Sequence, residues 1–486
     1  MTLVPRHAPS STLSRTLPLV VVITLFVATV AVAQPQPIDL GTLGGTTSTP
    51  AAINERSQVV GSSNGHAFLW TATTGMMDLG TPTSSFATAI NNLGHVGGGV
   101  LSGDPFGTHP FLWTPEGGVV EIEPPHVSCC GSMVSAVNDV DQVVGTLDAL
   151  IRPSRAFTWT STGGMQTLGS LGGATAAVDV NNGGLVVGLG YVVPHLSALD
   201  PRHAFAWTES TGMLDLGTLG GIDSQAVDVN DAGQVVGWSF TVGSLVSCPP
   251  APCIHHAFLW TATAGMVSLG TLGGTNSEAT AVNADGWVVG QSDVTQGSDA
   301  FLWTPDHGMA DLGTLGGGFS SALDVNDRGQ VVGWSGTADS GVRRGFVWTA
   351  AGGMVELPPL PGYASSEARF VNNRGYIVGV SCSSACPTGN PRATLWVVPV
   401  KDDAQQQLAD TMDLILSYNL TKLGTSLTDK LQNASNFVAA GQVSQACGTL
   451  TGFLHQVSAQ KGKALTVVQA TALAARVIRI RNDIGC

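Results

Sequence analysis

Charge is scarce in this sequence: 11% of its 486 residues are Asp, Glu, Lys or Arg, and no lysine occurs before Lys401. A chain so poor in charge has little material for solvated helices over its first 400 residues. The formal net charge of -14, with no basic cluster to offset it, excludes the usual nucleic-acid binder, which neutralises phosphates with Lys and Arg. Chemical signatures are equally thin. There is no G-x-S-x-G elbow, no H-E-x-x-H zinc helix, and no glycine loop of phosphate-binding spacing with a lysine partner. No metal or cofactor motif is present.

What is abundant is glycine, 62 residues of it, which points to many tight turns. A length of 486 residues exceeds one ordinary domain unless the chain is built from repeats. At the N-terminus, Arg6 and Arg15 precede an apolar run from Leu17 to Val32. Ala31-Val32-Ala33 before Gln34 fits a small-residue cleavage site. Residues 1–33 therefore read as a secretory signal peptide, with a retained N-terminal anchor as the alternative and no spanning segment in the mature chain.

Export places the eight cysteines in an oxidising compartment. Cys248 with Cys253 and Cys382 with Cys386 read as local loop staples, each worth about 2 kcal/mol. Cys447 and Cys486 pair within the C-terminal region. Cys129 and Cys130 are adjacent, where a bond would be strained, and no pairing is assigned to them.

Aligned with itself, the chain yields a unit of the form A-x-x-V-N-x-x-G-x-V-V-G, a variable stretch, A-F-L-W-T, and G-M-x-D-L-G-T-L-G-G. Its asparagines are Asn54, Asn91, Asn138, Asn181, Asn230, Asn283, Asn326 and Asn372. Its tryptophans are Trp70, Trp113, Trp159, Trp207, Trp260, Trp303, Trp348 and Trp396. The mean asparagine spacing of about 45 residues is that of propeller blades. Each unit holds four short runs rich in Val, Phe, Trp and Leu between Gly, Asn and Asp, which predicts four strands. In DVNDRGQVVGWS (324–335) the first strand ends near Val325 and Gly329 supplies a positive φ before the next. The predicted fold is all-β: a closed β-propeller of eight four-stranded blades over 34–400, with a small all-α domain over 401–486. A linear solenoid is the alternative. Closure rests on permutation, because IDLGTLGG (38–45) precedes the first unit while the eighth ends at ATLWVVPV (393–400) without its own copy. The strand at 38–45 would complete the last blade and leave no free edge.

Repetition argues that the glycines of LGTLGG are turn and close-approach positions rather than a ligand loop. The unit tryptophans share a strand face with a Phe two residues earlier in seven of eight cases, which suits packing between blades. Trp238, Trp287 and Trp334 form a second set, read as core or rim packing with a ligand-facing platform as the alternative. His66, His203 and His256 occupy equivalent places on separate units and should not converge on a metal. Asp228, Asn230 and Asp231, like Asp324, Asn326 and Asp327, read as turn formers, with calcium ligation as the alternative. Glu116, Glu121, Glu123, Glu209 and Glu356 are available carboxylates with no inferable pairing. The insertions at 146–154, 189–203 and 239–256 are the loops most suited to telling partners apart.

After Lys401 the apolar spacing becomes helical: Leu408, Met412, Ile415 and Leu416; Leu427, Leu431 and Phe437; Leu450, Phe453 and Leu454; Val467, Ala470, Leu473 and Val477. Four helices fit, with breaks near Gly424, Gly441 and Gly462.

HAFLWT at 66–71 and 256–261, followed by GMMDLGTP (75–82) and GMLDLGTLGG (212–221), resembles the HAF-family extracellular repeat of secreted bacterial proteins. The resemblance covers about residues 37–397, with departures at 119–126 and 356–362. LTKLGTSLTDKLQNA (420–434) and FLHQVSAQKGKALTVVQATAL (453–473) resemble the FIMAH-type helical domain appended to secreted bacterial proteins. These resemblances imply an exported bacterial protein and no particular reaction. The resulting expectation is a secreted, non-catalytic binding or structural protein whose partner is a glycan, a protein or the cell envelope. The alternative is a secreted propeller hydrolase or lyase acting on an extracellular polymer. Mass spectrometry of unreduced, proteolysed protein should recover Cys248 linked to Cys253; free thiols there would remove that staple.

Overall fold

The turn that follows each repeat asparagine sets the unit of this fold. In a computed structural model the described residues are 34–486, apart from 82, 102–106, 123–130, 150–151, 195–199, 242–253, 340, 387–388, 399–403, 419, 421 and 485. In the repeat around Asn230 the inner strand Gly220–Val229 stops as Asn230 Oδ1 accepts the N–H of Gln234 at 3.0 Å. Gly233, at φ 74°, turns the chain into Val235–Thr241. His255–Thr261 and Gly265–Ser268 complete an antiparallel sheet of four strands in sequence order. Gly237 is obligatory for its contact, since a Cβ there would lie 1.9 Å from the carbonyl oxygen of Gln225, beside the bulge between Ala226 and Asp228.

The same meander recurs from Ser48, Ser85, Met133, Thr175, Gly220, Ser277, Gly316 and Ser365, here called the first to eighth sheets. Among the described residues the strands form six four-stranded sheets and one of eight strands. The latter is the sixth and seventh sheets joined by a single parallel pair, Ser298 with Phe319. Within the eighth, Ser365–Val371, Tyr376–Cys382 and Arg392–Val397 come from one stretch of chain, and the fourth place is taken by Ile38–Asp39. Ile38 lies opposite Leu395 and Asp39 opposite Thr394. Arg392 grips the Asp39 carboxylate with Nε at 2.8 Å and Nη2 at 2.9 Å. Burial opposes the Asp39 charge, but Arg392 and the Gly41 N–H outweigh it and hold the carboxyl below its usual range.

Sheets buried on both faces need no polar alternation, which is why the second strand reads Val-Val-Gly. Val235 packs with Val187, Ala204 and Phe258 between the fourth and fifth sheets, while its neighbour Val236 packs with Ala279, Val288 and Phe301 between the fifth and sixth. Leu40, Val59, Phe68 and Trp70 pack in the same way against Val378 and Leu395, so a cluster of this kind also joins the eighth sheet to the first. Each unit tryptophan enters the cluster shared with the preceding sheet, from Trp113, Trp159, Trp207 and Trp260 to Trp303, Trp348 and Trp396. Trp396 is fully buried and its Nε1–H donates to the Pro358 carbonyl at 2.8 Å.

The DLGTLGG segment serves this packing. Asp215 Oδ1 accepts the Gly217 N–H at 2.8 Å, Gly217 adopts φ 73°, and its carbonyl takes the Ser224 hydroxyl at 2.6 Å. Ser224 Oγ in turn accepts the Ala204 N–H at 2.8 Å, tying the end of the fourth sheet to the start of the fifth. At 39–45 the same parts recur: Gly41 N–H to Asp39 at 2.8 Å, Ser48 to the Gly41 carbonyl at 2.8 Å, and Ala393 N–H to Ser48 at 3.0 Å.

The C-terminal region forms α1 (Ala404–Ser417), α2 (Lys422–Ala439), α3 (Val443–Gln460) and α4 (Val467–Asp483) around Leu408, Ile415, Leu431, Phe453 and Leu473. Two expectations are corrected here. α1 ends at Ser417 and α2 begins at Lys422, so Gly424 lies inside α2, where a Cβ would come within 3.2 Å of Leu420 Cβ; glycine is used for close approach, not for stopping a helix. Leu416 is 65% exposed, because the buried stripe of α1 runs through Leu408, Met412 and Ile415. Disulfides join Cys382 to Cys386 and Cys447 to Cys486, while Cys129, Cys130, Cys248 and Cys253 lie outside the described residues. None of the described helices is long and apolar enough to cross a membrane.

Removal of residues 34–45 should lower the unfolding free energy by about 3 kcal/mol or more, since burial of one Leu such as Leu40 is worth about 1.5–3 kcal/mol. Chemical denaturation of the shortened and intact chains measures this, and equal stability would show that the N-terminal strand contributes nothing.

Candidate functional site

An asparagine side chain carries one acceptor and two N–H donors, and the repeat uses both ends. Oδ1 closes its own turn, as for Asn230. Nδ2 reaches the next sheet: Asn54 donates to the Asn91 carbonyl at 2.9 Å, and equivalent bonds at 2.8–3.1 Å run from Asn91 to Asn138, Asn181, Asn230, Asn283, Asn326 and Asn372 in turn. Asn372 then donates to the Asn54 carbonyl at 3.0 Å. All eight asparagines are buried.

The residues that follow these asparagines make a second circuit. Their N–H groups bond to the next side chain along: Glu55 to Asn92 at 2.9 Å, Asn92 to Asp139 at 2.7 Å, Asp139 to Asn182 at 2.8 Å and Asn182 to Asp231 at 2.8 Å. Ala284 has no side-chain oxygen, which leaves a gap after Asp231; the pattern resumes from Ala284 to Asp327 at 2.9 Å, Asp327 to Asn373 at 2.8 Å and Asn373 to Glu55 at 3.1 Å. These turns bound a cavity of about 440 Å³ whose lining includes the carboxylates of Glu55, Asp139, Asp231 and Asp327. Burial pushes the Glu55 carboxyl up, and the Asp327 charge adds to it, against the pull of the Asn373 N–H and of Arg374 and Arg328. Deeper on the inner strands, burial and the charges of Glu55 and Asp327 push Asp324 up to about 6, although Val371 and Val325 donate to it. The mouth therefore offers hydrogen-bond acceptors and carboxylates in unlike environments.

Other candidates are distributed differently. His66, His203 and His256 each face a residue of the adjacent strand: Asp78 at 3.4 Å, Asp215 at 2.8 Å and Ser268 at 2.9 Å. They stay on separate sheets. Arg344 with Glu356 at 2.9 Å and His109 with Glu121 at 3.7 Å are further copies of this cross-strand pair. Glu116 and Glu209 are exposed, and Glu123 lies outside the described residues. Trp238 packs against Phe240 at a tilt and against His255 edge-on, at centroid distances of 5.6 and 5.7 Å, Arg343 covers Trp334 at 3.9 Å, and Trp287 packs against the cluster between the sixth and seventh sheets. Asp228 and Asp324 spend their oxygens on backbone N–H groups, and no metal-holding group of three or more His, Cys, Asp or Glu occurs among the described residues. The three insertions lie partly outside the described residues. Sequence reasoning treated the asparagines as turn formers and missed their bonds between repeats; the signal was their presence in every unit, where a turn alone would accept Asp or Ser.

No family model matches the chain, and no curated protein matches it. Similar solved structures include a puromycin hydrolase at 13% identity and TM-score 0.42, aligned over 65% of this chain and 52% of that one. Dipeptidyl peptidase 4 of Porphyromonas gingivalis is 9% identical with TM-score 0.48, over 71% of this chain and 56% of that one. XC5397 of Xanthomonas campestris, a gluconolactonase, is 10% identical with TM-score 0.31, over 75% and 98%. The alignment thus spans little more than half the length of the hydrolase and the peptidase.

Substituting Asn230→Ala removes the donor to Asn283 and strands a buried carbonyl, so it should cost about 1–3 kcal/mol. Urea denaturation reads the loss; an unchanged midpoint would mean that the amide circuit does not bear on stability.

Proposed function

We propose that this chain is a secreted, closed eight-bladed β-propeller of the HAF-repeat kind, carrying a FIMAH-type helical domain, and that it binds an extracellular or cell-envelope ligand at its axial mouth. The observation that carries this reading is the cavity bounded by the asparagine turns, where amides and carboxylates from successive repeats converge on one space. Its acceptors suit a ligand rich in hydroxyl or amine donors, such as a glycan. The hydrogen bonds from Asn372 to Asn54 and the pairing of Ile38–Asp39 in the eighth sheet support closure. Two disulfides, and described helices too short or too polar to span a membrane, are compatible with an exported protein.

A second reading, a propeller hydrolase or lyase acting on an extracellular polymer, is favoured by one feature of the same mouth. Burial pushes the Glu55 carboxyl up, with the Asp327 charge adding to it, and a raised carboxyl beside other carboxylates is what general acid–base chemistry requires. One experiment separates the two: the mature protein is applied to a glycan and cell-envelope array while the supernatant is assayed for released product, alongside Glu55→Gln. Saturable binding without product, weakened in the variant, is the expected result. Product that disappears in the variant would establish the second reading, and an array without any hit would remove the mouth as a binding site.

A further inference from the structure

Asp179 and Asp228 occupy equivalent positions on the inner strands Thr175–Val180 and Gly220–Val229, two residues before the ring asparagines Asn181 and Asn230. A single backbone N–H, that of Val229, lies 3.2 Å from Asp179 Oδ2 and 2.8 Å from Asp228 Oδ1, so the two carboxyls converge on one donor. The second oxygen of Asp228 accepts the Val282 N–H of the sixth sheet at 2.7 Å. Each carboxyl thus staples its own sheet to the next one. Asp324 makes the same staple from Val325 to Val371, at 2.8 Å each, without a second Asp at the shared N–H.

The surroundings supply no counter-charge. Met133–Val137, Val186–Tyr191, Val235–Thr241 and Ser277–Val282 contain no Lys, Arg or His; their ionisable residues are Tyr191 and Glu278, and the carboxylate of Glu278 is engaged by His255 Nε2 at 2.9 Å. Of the other strands packed against the two inner strands, Arg202–Thr208 carries Arg202, bound to Asp223 at 2.7 Å, and His203, bound to Asp215 at 2.8 Å; Val143–Ala149 carries Asp148, and Arg152–Thr160 carries Arg155, which donates to the Gly173 carbonyl, so these cations are engaged elsewhere. The carboxyl groups of Asp231 and Asp324 add further negative field, on Asp179 and Asp228 respectively. Two buried carboxyls that converge on one N–H with no cation beside them cannot both ionise cheaply.

We propose that Asp179 and Asp228 hold one proton between them at neutral pH, and that its loss loosens the inner seam joining the fourth, fifth and sixth sheets, giving the ring a base-sensitive release beside its axial mouth. With the proton, one carboxyl can donate to the other; without it, like charges face each other across the seam. Burial pushes both carboxyls up, and for Asp228 the charge of Asp179 adds to it. A carboxyl raised in the folded state favours folding below its unfolded pKa, and that contribution disappears as pH rises through the folded value. Asp324, raised to about 6, carries the lower part of the same slope.

The test follows thermal melting and amide-exchange protection of Val229 and Val282 in the full chain from about pH 5 to about pH 9, with Asp179→Asn and Asp324→Asn beside it. Asn at 179 supplies a permanent donor to Asp228 while keeping an acceptor for Val229. We expect both measures to fall with rising pH in the natural chain, the alkaline part of the fall to vanish in Asp179→Asn, and only the acidic part to change in Asp324→Asn. Infrared spectra of the natural chain at pH 7 should show the carbonyl band of a protonated carboxylic acid that Asp179→Asn lacks. Flat protection in the natural chain, an unaltered slope in Asp179→Asn, or the absence of that band would each overturn the shared proton.

Discussion

The asparagine amide decides how the repeats meet, because in all eight units it satisfies its own turn and the neighbour's backbone together. Oδ1 of Asn230 takes the Gln234 N–H while Nδ2 covers the Asn283 carbonyl, so a buried polar turn is left without stranded groups. Asp in that place would present a carboxylate to a carbonyl, and Ser would be too short to reach. The register of every inner strand follows from this, since the strand must end where its asparagine can bridge.

Packing between sheets obeys the same spacing. Once Asn230 is placed, Val235 and Val236 fall on opposite faces, and Phe258 and Trp260 both turn to the fourth-sheet side. Cross-strand pairs such as His203 with Asp215 then sit toward the opposite end of the strands, where Arg392 and Asp39 make the corresponding pair with residues from the two ends of the repeat array. The carboxylates of the mouth accept bonds from the backbone of neighbouring turns.

Much of this was legible along the chain. The hairpin at 324–335 reads directly from Asn326, Gly329 and the paired valines, and it forms with Gly329 at φ 73°. Loop chemistry was read less well: Gly424 looked like a helix stop but lies in the first turn of α2, close against Leu420 just before it. The candidate site was hardly legible at all. Asp231 and Asp327 read as turn formers with calcium ligation as the alternative, and Glu55 and Asp139 carried no signal, because their neighbours are set by the sheet alongside and not by residues near them in sequence.

By itself the sequence determined the repeat, its four strands, its turns and the helical tail, since these depend on local periodicity and on the backbone preferences of Gly and Asn. Tertiary structure alone decided which asparagine meets which carbonyl, which carboxyls share a donor, and which side chains surround one cavity. Those are contacts between units some tens of residues apart, and identical units carry no mark of their neighbour until the sheets are packed side by side.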